Sequence, residues 1–253
     1  MGLLDDKTAV ITGGNSGIGL ATAQRFIAEG AARVFLNGRR QPELDAAVHE
    51  LGSRAVAVRG DVGEPGDLDR LYAEVGAAGN GLDIVVANAG FTRVARLGEI
   101  TDDDLDALLT TNVKGVVYTV QKALPLLNDG ASVILIGSTT ADRGRAGLSM
   151  YAASKAAVRS MARAWASELA GRRIRVNVVV AGSTATPGSD TLAAQTDPGA
   201  SVAEFRAGRV AEIPLGRFAD PVEIANAAVF LASDLSSFIT GSTVTADGGF
   251  NQV

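Results

Sequence analysis

The chain has no cysteine and one histidine in 253 residues. Without cysteine there is no disulfide framework and no thiolate metal site. With one histidine there is no histidine metal cluster, and a Ser-His-Asp hydrolase would have to be built on that one residue. The histidine itself, His49, lies in an Ala-Ala-Val-His-Glu-Leu helical pattern with polar neighbours and reads as a solvated surface residue. Basic excess is also missing. The formal charge of −5 gives no support for nucleic acid or an anionic membrane as partner. No apolar run approaches the length of a membrane span. The N-terminal Met-Gly-Leu-Leu-Asp-Asp-Lys lacks the basic start and long apolar core of a secretory signal, so a cytoplasmic location is expected. No internal repeat, low-complexity tract or composition break divides the chain. One domain over 1–253 is the simplest count, and apolar residues at 47% suffice for a large core.

Short apolar runs alternate with longer helical patterns. The runs fall at 8–12, 33–37, 54–59, 82–87, 131–138, 173–180 and 242–245. They are rich in Val and Ile and show no polar alternation, as parallel strands buried on both faces do. Helical patterns lie between them, at 17–29, 41–51, 65–78, 101–128, 150–171 and 220–233. This alternation predicts an α/β fold: one doubly wound, Rossmann-type parallel sheet of about seven strands, with helices on both faces. Thr101 followed by Asp102, Asp103 and Asp104 reads as a capped helix start with carboxylates at the positive end of the helix dipole, rather than as a metal site. Residues 183–212 stand apart, rich in Gly, Ser, Thr and Pro. They carry only a weak helical stretch near 201–211, amphipathic from Val202 to Val210, and proline-containing turns at Pro187 and Pro198. An irregular segment of that length between core elements is expected to be functional or mobile; we read it as a substrate lid.

Two places carry chemistry. After the first strand comes Gly13-Gly14-Asn15-Ser16-Gly17-Ile18-Gly19, then a helix. A strand, a glycine-rich turn and a helix N-terminus make a phosphate cradle, because backbone N–H groups can approach the anion and the dipole favours it. The second place is Tyr151-Ala152-Ala153-Ser154-Lys155, thirteen residues beyond Ser138, which closes the fifth apolar run. Helix positions i and i+4 share a face, so the ammonium can reach toward the phenol. A phenol ordinarily titrates near 10. A fixed cation favours its ionised form and lets it exchange a proton with a carbonyl oxygen nearer neutrality.

Taken together, Thr12-Gly13-x-x-x-Gly17-x-Gly19, Asn88-Ala89-Gly90 after a strand, Asn112 in a helix, then Ser138, Tyr151 and Lys155, resemble the short-chain dehydrogenase/reductase family over essentially the whole chain, from Lys7 to about Gly249. Within the family the chain looks most like bacterial NADPH-dependent alcohol dehydrogenases and ketone reductases. The resemblance implies that Tyr151 is the proton donor and that Ser138 orients the substrate oxygen. It gives Lys155 the nicotinamide ribose, and has Asn112 hold a water linking Lys155 to solvent. Cofactor contacts are implied for Gly13, Asn15, Ser16, Gly17, Ile18, Gly19, Asp61, Val62, Asn88, Ala89, Gly90, Gly182, Thr184 and Thr186. Two departures are visible: Ala87 stands where the family often has Asn, and Ala181 where a Pro-Gly-x-x-x-Thr segment has its proline.

An acid at the end of the second strand would bind a ribose 2′-hydroxyl and repel a 2′-phosphate. Here Gly38 takes that place and Arg39 and Arg40 follow, so NADP(H) is expected over NAD(H). The family further implies a homotetramer. Some relatives hold a structural magnesium ion near their C-termini; nothing in the sequence establishes one here, and no metal ligands are assigned. The expected function is interconversion of ketones and secondary alcohols. The same chemistry admits a 3-oxoacyl-carrier-protein reductase or a sugar or steroid dehydrogenase. A cofactor-binding regulator without turnover is the reading from another class, and the intact Ser138, Tyr151 and Lys155 set argues against it.

Overall fold

A computed structural model describes residues 2–197 and 199–253. The strands are β1 (Thr8–Thr12), β2 (Arg33–Gly38), β3 (Ala55–Arg59), β4 (Leu82–Ala87), β5 (Leu127–Ser138), β6 (Arg175–Ala181) and β7 (Thr243–Ala246). They form one sheet in the order β3-β2-β1-β4-β5-β6-β7, and every neighbouring pair is parallel. The helices are α1 (Gly17–Ala28), α2 (Gln41–Leu51), α3 (Pro65–Ala77), α4 (Asp102–Leu109), α5 (Gly115–Ala123), α6 (Ser149–Glu168), α7 (Pro187–Thr196), α8 (Val202–Val210) and α9 (Pro221–Ala232).

The unbroken apolar runs of the strands are explained by two cores. On one face Val10, Val85, Val133 and Val178 meet Leu68 and Leu71 of α3, Val120 of α5 and Val158 of α6. On the other, Ile11, Ile84, Ile134 and Val179 meet Phe26 of α1, Leu44 of α2 and Leu231 of α9. Successive strand residues supply opposite faces, so a strand buried on both sides is mostly apolar, and polar side chains that it keeps, such as Asn37, Ser132 and Asn177, donate to backbone carbonyls. The strand order reverses around β1, which lies between β2 and β4. In such sheets the crevice at the carboxyl ends of the strands, at the reversal, is where ligands bind. No helix among the described residues is long and apolar enough to cross a membrane.

Two sequence expectations need correction. The expected helix over 101–128 is three pieces. Thr101 caps α4 as expected, accepting the Asp104 N–H at 3.2 Å. Residues Thr110–Lys114 then form a π-helical turn before α5, which ends at Ala123. Pro125 explains the stop, since its ring and missing N–H cannot continue a helix. Leu127 already belongs to β5, opposite Leu82. The second correction is in 183–212. Its stretch at Val202–Val210 is α8, started by a reciprocal cap between Ser201 and Glu204. What reads as a turn at Pro187 is the first turn of α7, with Thr186 as cap and the proline in the first turn, where its missing N–H costs nothing. Pro198 lies outside the described residues. Within the segment, Thr184 forms an isolated parallel bridge with Ala219.

The packing of α3 against α5 includes one buried polar contact, from the Tyr72 hydroxyl to the Thr119 carbonyl at 2.6 Å. Burial pushes the Tyr72 phenol well above its ordinary range. The unfolded chain therefore ionises first, and this group's contribution to stability is present below pH about 10 and declines as pH rises beyond it. Tyr72→Phe is expected to cost about 1–2 kcal/mol in urea unfolding at pH 7. It should also flatten the alkaline loss of stability.

Candidate active site

The first turn beyond β1 is shaped by asparagine and glycine together. Gly13 and Gly17 have φ of 63° and 53°, the left-handed region that glycine enters at no steric cost. Asn88, just past β4, donates its side-chain amide to the carbonyls of Thr12 (2.9 Å) and Gly13 (3.1 Å). The Thr12 hydroxyl accepts the backbone N–H groups of Asn88 and Ala89 at 3.1 and 3.2 Å. Together these bonds tie β1 to β4 where the strand order reverses. Ser16 stands at the N-cap of α1 but makes no side-chain cap. The N–H groups of that first turn are left without a side-chain acceptor, beside a cleft of about 550 Å³ lined by Gly13, Asn15, Ser16, Gly17 and Ile18. Gly19 does not line the cleft. A Cβ there would come within 2.6 Å of the Asn88 amide nitrogen, so Gly19 serves the close packing of helix on strand behind the cradle.

At one end of the cleft are Asn37, Gly38, Arg39, Arg40, Asp61 and Val62. Arg39 is largely exposed and stands 3.6 Å from the Asp61 carboxylate, while Arg40 pairs with Glu43 at 2.6 Å. Asn37 is almost fully buried. Its amide donates to the carbonyls of Val58 and Gly60, both at 3.2 Å, but its carbonyl oxygen has no partner among the described residues. Sequence reading passed over Asn37; a lone amide closing an otherwise apolar strand was the available signal. A buried acceptor without a donor is costly, and a ligand donor arriving in the cleft would satisfy it. This orphaned oxygen, the open helix N-terminus and the left-handed glycines fit a dinucleotide.

Toward the other end stand Asn88, Ala89, Gly90, Ser138, Tyr151, Lys155, Gly182, Thr184 and Thr186. Ser138 ends β5, and its hydroxyl accepts from the backbone N–H and the hydroxyl of Thr140, at 3.3 and 2.9 Å. The serine's own hydrogen is left to donate. Lys155 is buried, and its ammonium donates to the Ile136 carbonyl at 2.9 Å. It lies 5.9 Å from the centre of the Tyr151 ring, so the two share a helix face without a direct bond. Asn112, inside the π-helical turn, is fully buried and does not line the cleft. Its amide brackets Phe91, accepting the N–H at 3.0 Å and donating to the carbonyl at 2.9 Å, and also reaches the Ser154 hydroxyl at 3.3 Å. A Cβ on Gly90 would sit 3.1 Å from the Asn112 oxygen and 3.5 Å from the Lys155 nitrogen; the glycine keeps that junction open.

Thr184 turns its hydroxyl back to the Gly182 carbonyl at 3.0 Å. A Cβ on Gly17 would approach the Thr186 methyl at 3.2 Å, so the foot of α7 rests on the glycine turn. Phe205 and Arg209 of α8, with Leu192 and Gln195 of α7, complete the cleft. None of these four was singled out from sequence; only the amphipathic pattern of α8 marked the segment. Among the described residues no group of three or more His, Asp or Glu side chains is placed to hold a metal ion.

This geometry agrees with what known proteins show. A family model described as enoyl-(acyl carrier protein) reductase matches residues 13–251. "Oxidoreductase asL5" of Sarocladium schorii is 47% identical, over 99% of this chain and 98% of that protein. The 3-oxoacyl-[acyl-carrier-protein] reductase FabG of Thermotoga maritima is 37% identical, over 97% of this chain and 98% of that protein. A crystal structure of a short-chain dehydrogenase/reductase, described as SDR:glucose/ribitol dehydrogenase, from Brucella melitensis superposes with a TM-score of 0.91 at 33% identity, covering 100% of this chain and 99% of that one. With a parallel seven-stranded sheet, a glycine cradle at the strand-order reversal and near-complete alignment to these proteins, the chain belongs to the short-chain dehydrogenase/reductase family of oxidoreductases, whose members bind NAD(P)(H).

Proposed function

We propose that this protein is an NADPH-dependent carbonyl reductase and alcohol dehydrogenase that interconverts ketones and secondary alcohols. The observation that carries the reading is that Ser138, Tyr151 and Lys155 all line the same cleft, with the serine hydrogen unspent because Thr140 supplies both bonds that its oxygen accepts. A bound nicotinamide cofactor supplies the hydride. Gly13, Asn15, Ser16, Gly17 and Ile18 hold its pyrophosphate, Asn37, Asp61 and Val62 its adenosine, and Lys155, Gly182, Thr184 and Thr186 its nicotinamide end. Ser138 donates to the substrate oxygen and fixes it beside Tyr151. The phenol hydroxyl passes its proton to that oxygen as the carbonyl carbon becomes tetrahedral. Lys155 places its ammonium on the same helix face, 5.9 Å from the centre of the Tyr151 ring. Asn112, through the π-helical turn, sets the position of Phe91 and α6 and orders a water on the path from Lys155 to solvent.

Residues 183–212, with α7 and α8, act as the lid and shield the reaction from water. The exposed Leu235 and Phe238, in the connection between α9 and the edge strand β7, support a homotetramer. A second reading, 3-oxoacyl-carrier-protein reductase, is favoured by the name of the Thermotoga maritima relative. Turnover of a 3-oxoacyl group on its carrier far above turnover of free ketones would select it.

Two outcomes test the main reading. Tyr151→Phe keeps the ring and removes the transferable proton. Turnover of ketones should fall by about 10²–10⁴-fold while NADPH binding, followed by fluorescence, persists; near-normal turnover contradicts the role. Arg39→Ala removes the cation proposed for the 2′-phosphate. The preference for NADPH over NADH, as a ratio of kcat/KM, should drop by about 10-fold or more, and a wild-type enzyme that already prefers NADH contradicts the assignment. The alternative change Gly38→Asp is less clean, because a Cβ there meets the Asn15 side-chain oxygen at 2.5 Å.

A further inference from the structure

Phe91, Leu148, Leu192, Phe205 and Phe218 line the cleft together with the polar Thr191 and Gln195, and α8 adds one cation to them, Arg209. Its guanidinium, from the last turn of α8, lies 5.6 Å over the Phe205 ring. It makes no ion pair or side-chain hydrogen bond among the described residues. The charged groups that act on it are Arg145, Glu212 and Arg143, and the acid among them is already engaged. Glu212 pairs with Arg145 at 2.7 Å and stands 3.8 Å from Arg143. Arg143 also donates to the Phe250 carbonyl at 3.2 Å and lies 4.4 Å over the Phe250 ring. Of the other acids of the lid, Asp190 is held by Arg206 at 2.7 Å, Glu204 is engaged in the Ser201 cap, and Asp197 accepts the Gly199 N–H.

Three guanidinium groups and one carboxylate leave this corner with an excess of two positive charges, and the cleft-lining cation is the one without a partner. Burial holds the Arg209 pKa below its ordinary value, and Arg145 acts in the same direction. Both effects disfavour a charge that an arginine nonetheless keeps. A partly buried cation without a counter-ion is costly to the free protein. A planar guanidinium is also the group best shaped to take a carboxylate through two parallel bonds.

We propose that the substrate is an oxo acid: a ketone whose far end carries a carboxylate that Arg209 receives. The intervening chain lies against Phe205, Phe218 and Leu192. This rests on the carbonyl-reductase reading above. The carbonyl carbon takes the hydride and its oxygen the Tyr151 proton, while the cofactor is oxidised and the carboxylate is unchanged. Arg209 is a specificity-determining residue in this scheme and touches no reacting atom.

The test uses 4-oxopentanoate, 5-oxohexanoate and 6-oxoheptanoate, each beside its methyl ester, with the full-length enzyme and NADPH. At least one acid should exceed its ester in kcat/KM by about 10-fold. Arg209→Met, which keeps length and helix propensity, should collapse that acid-to-ester ratio by about 10-fold or more, and Arg209→Lys should recover part of it. The dissociation constant of oxidised cofactor should be the same in wild type and Arg209→Met. Equal rates for acid and ester, or a loss in Arg209→Met that strikes both alike, would overturn the proposal. Weakened cofactor binding in Arg209→Met would also overturn it and place the residue on the cofactor instead. If no acid or ester is reduced, the carbonyl-reductase reading fails. Calorimetric titration of 6-oxoheptanoate into protein loaded with oxidised cofactor then decides the anion site: binding that Arg209→Met abolishes supports it, and no binding overturns it.

Discussion

A buried ammonium with a single protein acceptor governs this cleft. Lys155 has three hydrogens to donate, and the Ile136 carbonyl takes one of them. Among the described residues no carboxylate pairs with it and no other group accepts from it. Burying a charge without completing its bonds is expensive, and the fold sustains it because the face of α6 that carries Lys155 is anchored in the core. Val158 and Ala162 of α6 enter the core with β5 and β6, and Ser154 is held by Asn112 and by the Tyr151 carbonyl. The two remaining donors point the cleft toward a ligand with hydroxyl acceptors, as a ribose has. The same positive charge faces the phenol one helical turn away.

The neighbouring irregularities follow from keeping that junction open. A regular helix from Thr101 to Ala123 would carry Asn112 in ordinary register. The π-helical turn at Thr110–Lys114 instead turns a fully buried amide toward Phe91 and Ser154. Such turns often mark functional sites. Gly90 supplies the matching space, since any side chain there would press on both Asn112 and Lys155. Gly115, at the start of α5, allows Val62 to pack against the helix at a distance that a Cβ would forbid. One constraint at Lys155 thus reaches from the fifth strand back to the end of the third.

Much of this was legible in the sequence, for a physical reason. Parallel strands covered on both faces are largely apolar, so the Val- and Ile-rich stretches 9–11, 84–87 and 133–136 stand out. Tyr151 and Lys155 declare themselves because four residues make one helical turn. Three features were misread. The π-helical turn depends on tertiary packing around Asn112, which local pattern does not encode. The start of α7 at Pro187 was written in a Thr-Pro pair that serves equally well as a turn. The stop at Pro125 was visible but outweighed by apolar periodicity on either side. Arg209 and Asn37 escaped notice for a different reason: what marks each is a missing partner, and partners are known only after folding.

The central claim is that the Lys155 ammonium is incomplete until a cofactor arrives. Thermal unfolding of wild type and Lys155→Met, each with and without saturating NADPH, tests it most directly. Without cofactor the methionine variant should unfold at the wild-type temperature or above it, because a poorly solvated charge has been replaced by an apolar chain of similar length. The rise in Tm on adding NADPH should be clearly smaller in the variant than in wild type. A variant that is destabilised without cofactor yet gains the full wild-type increment from NADPH would contradict the account, and would make Lys155 a structural residue of α6.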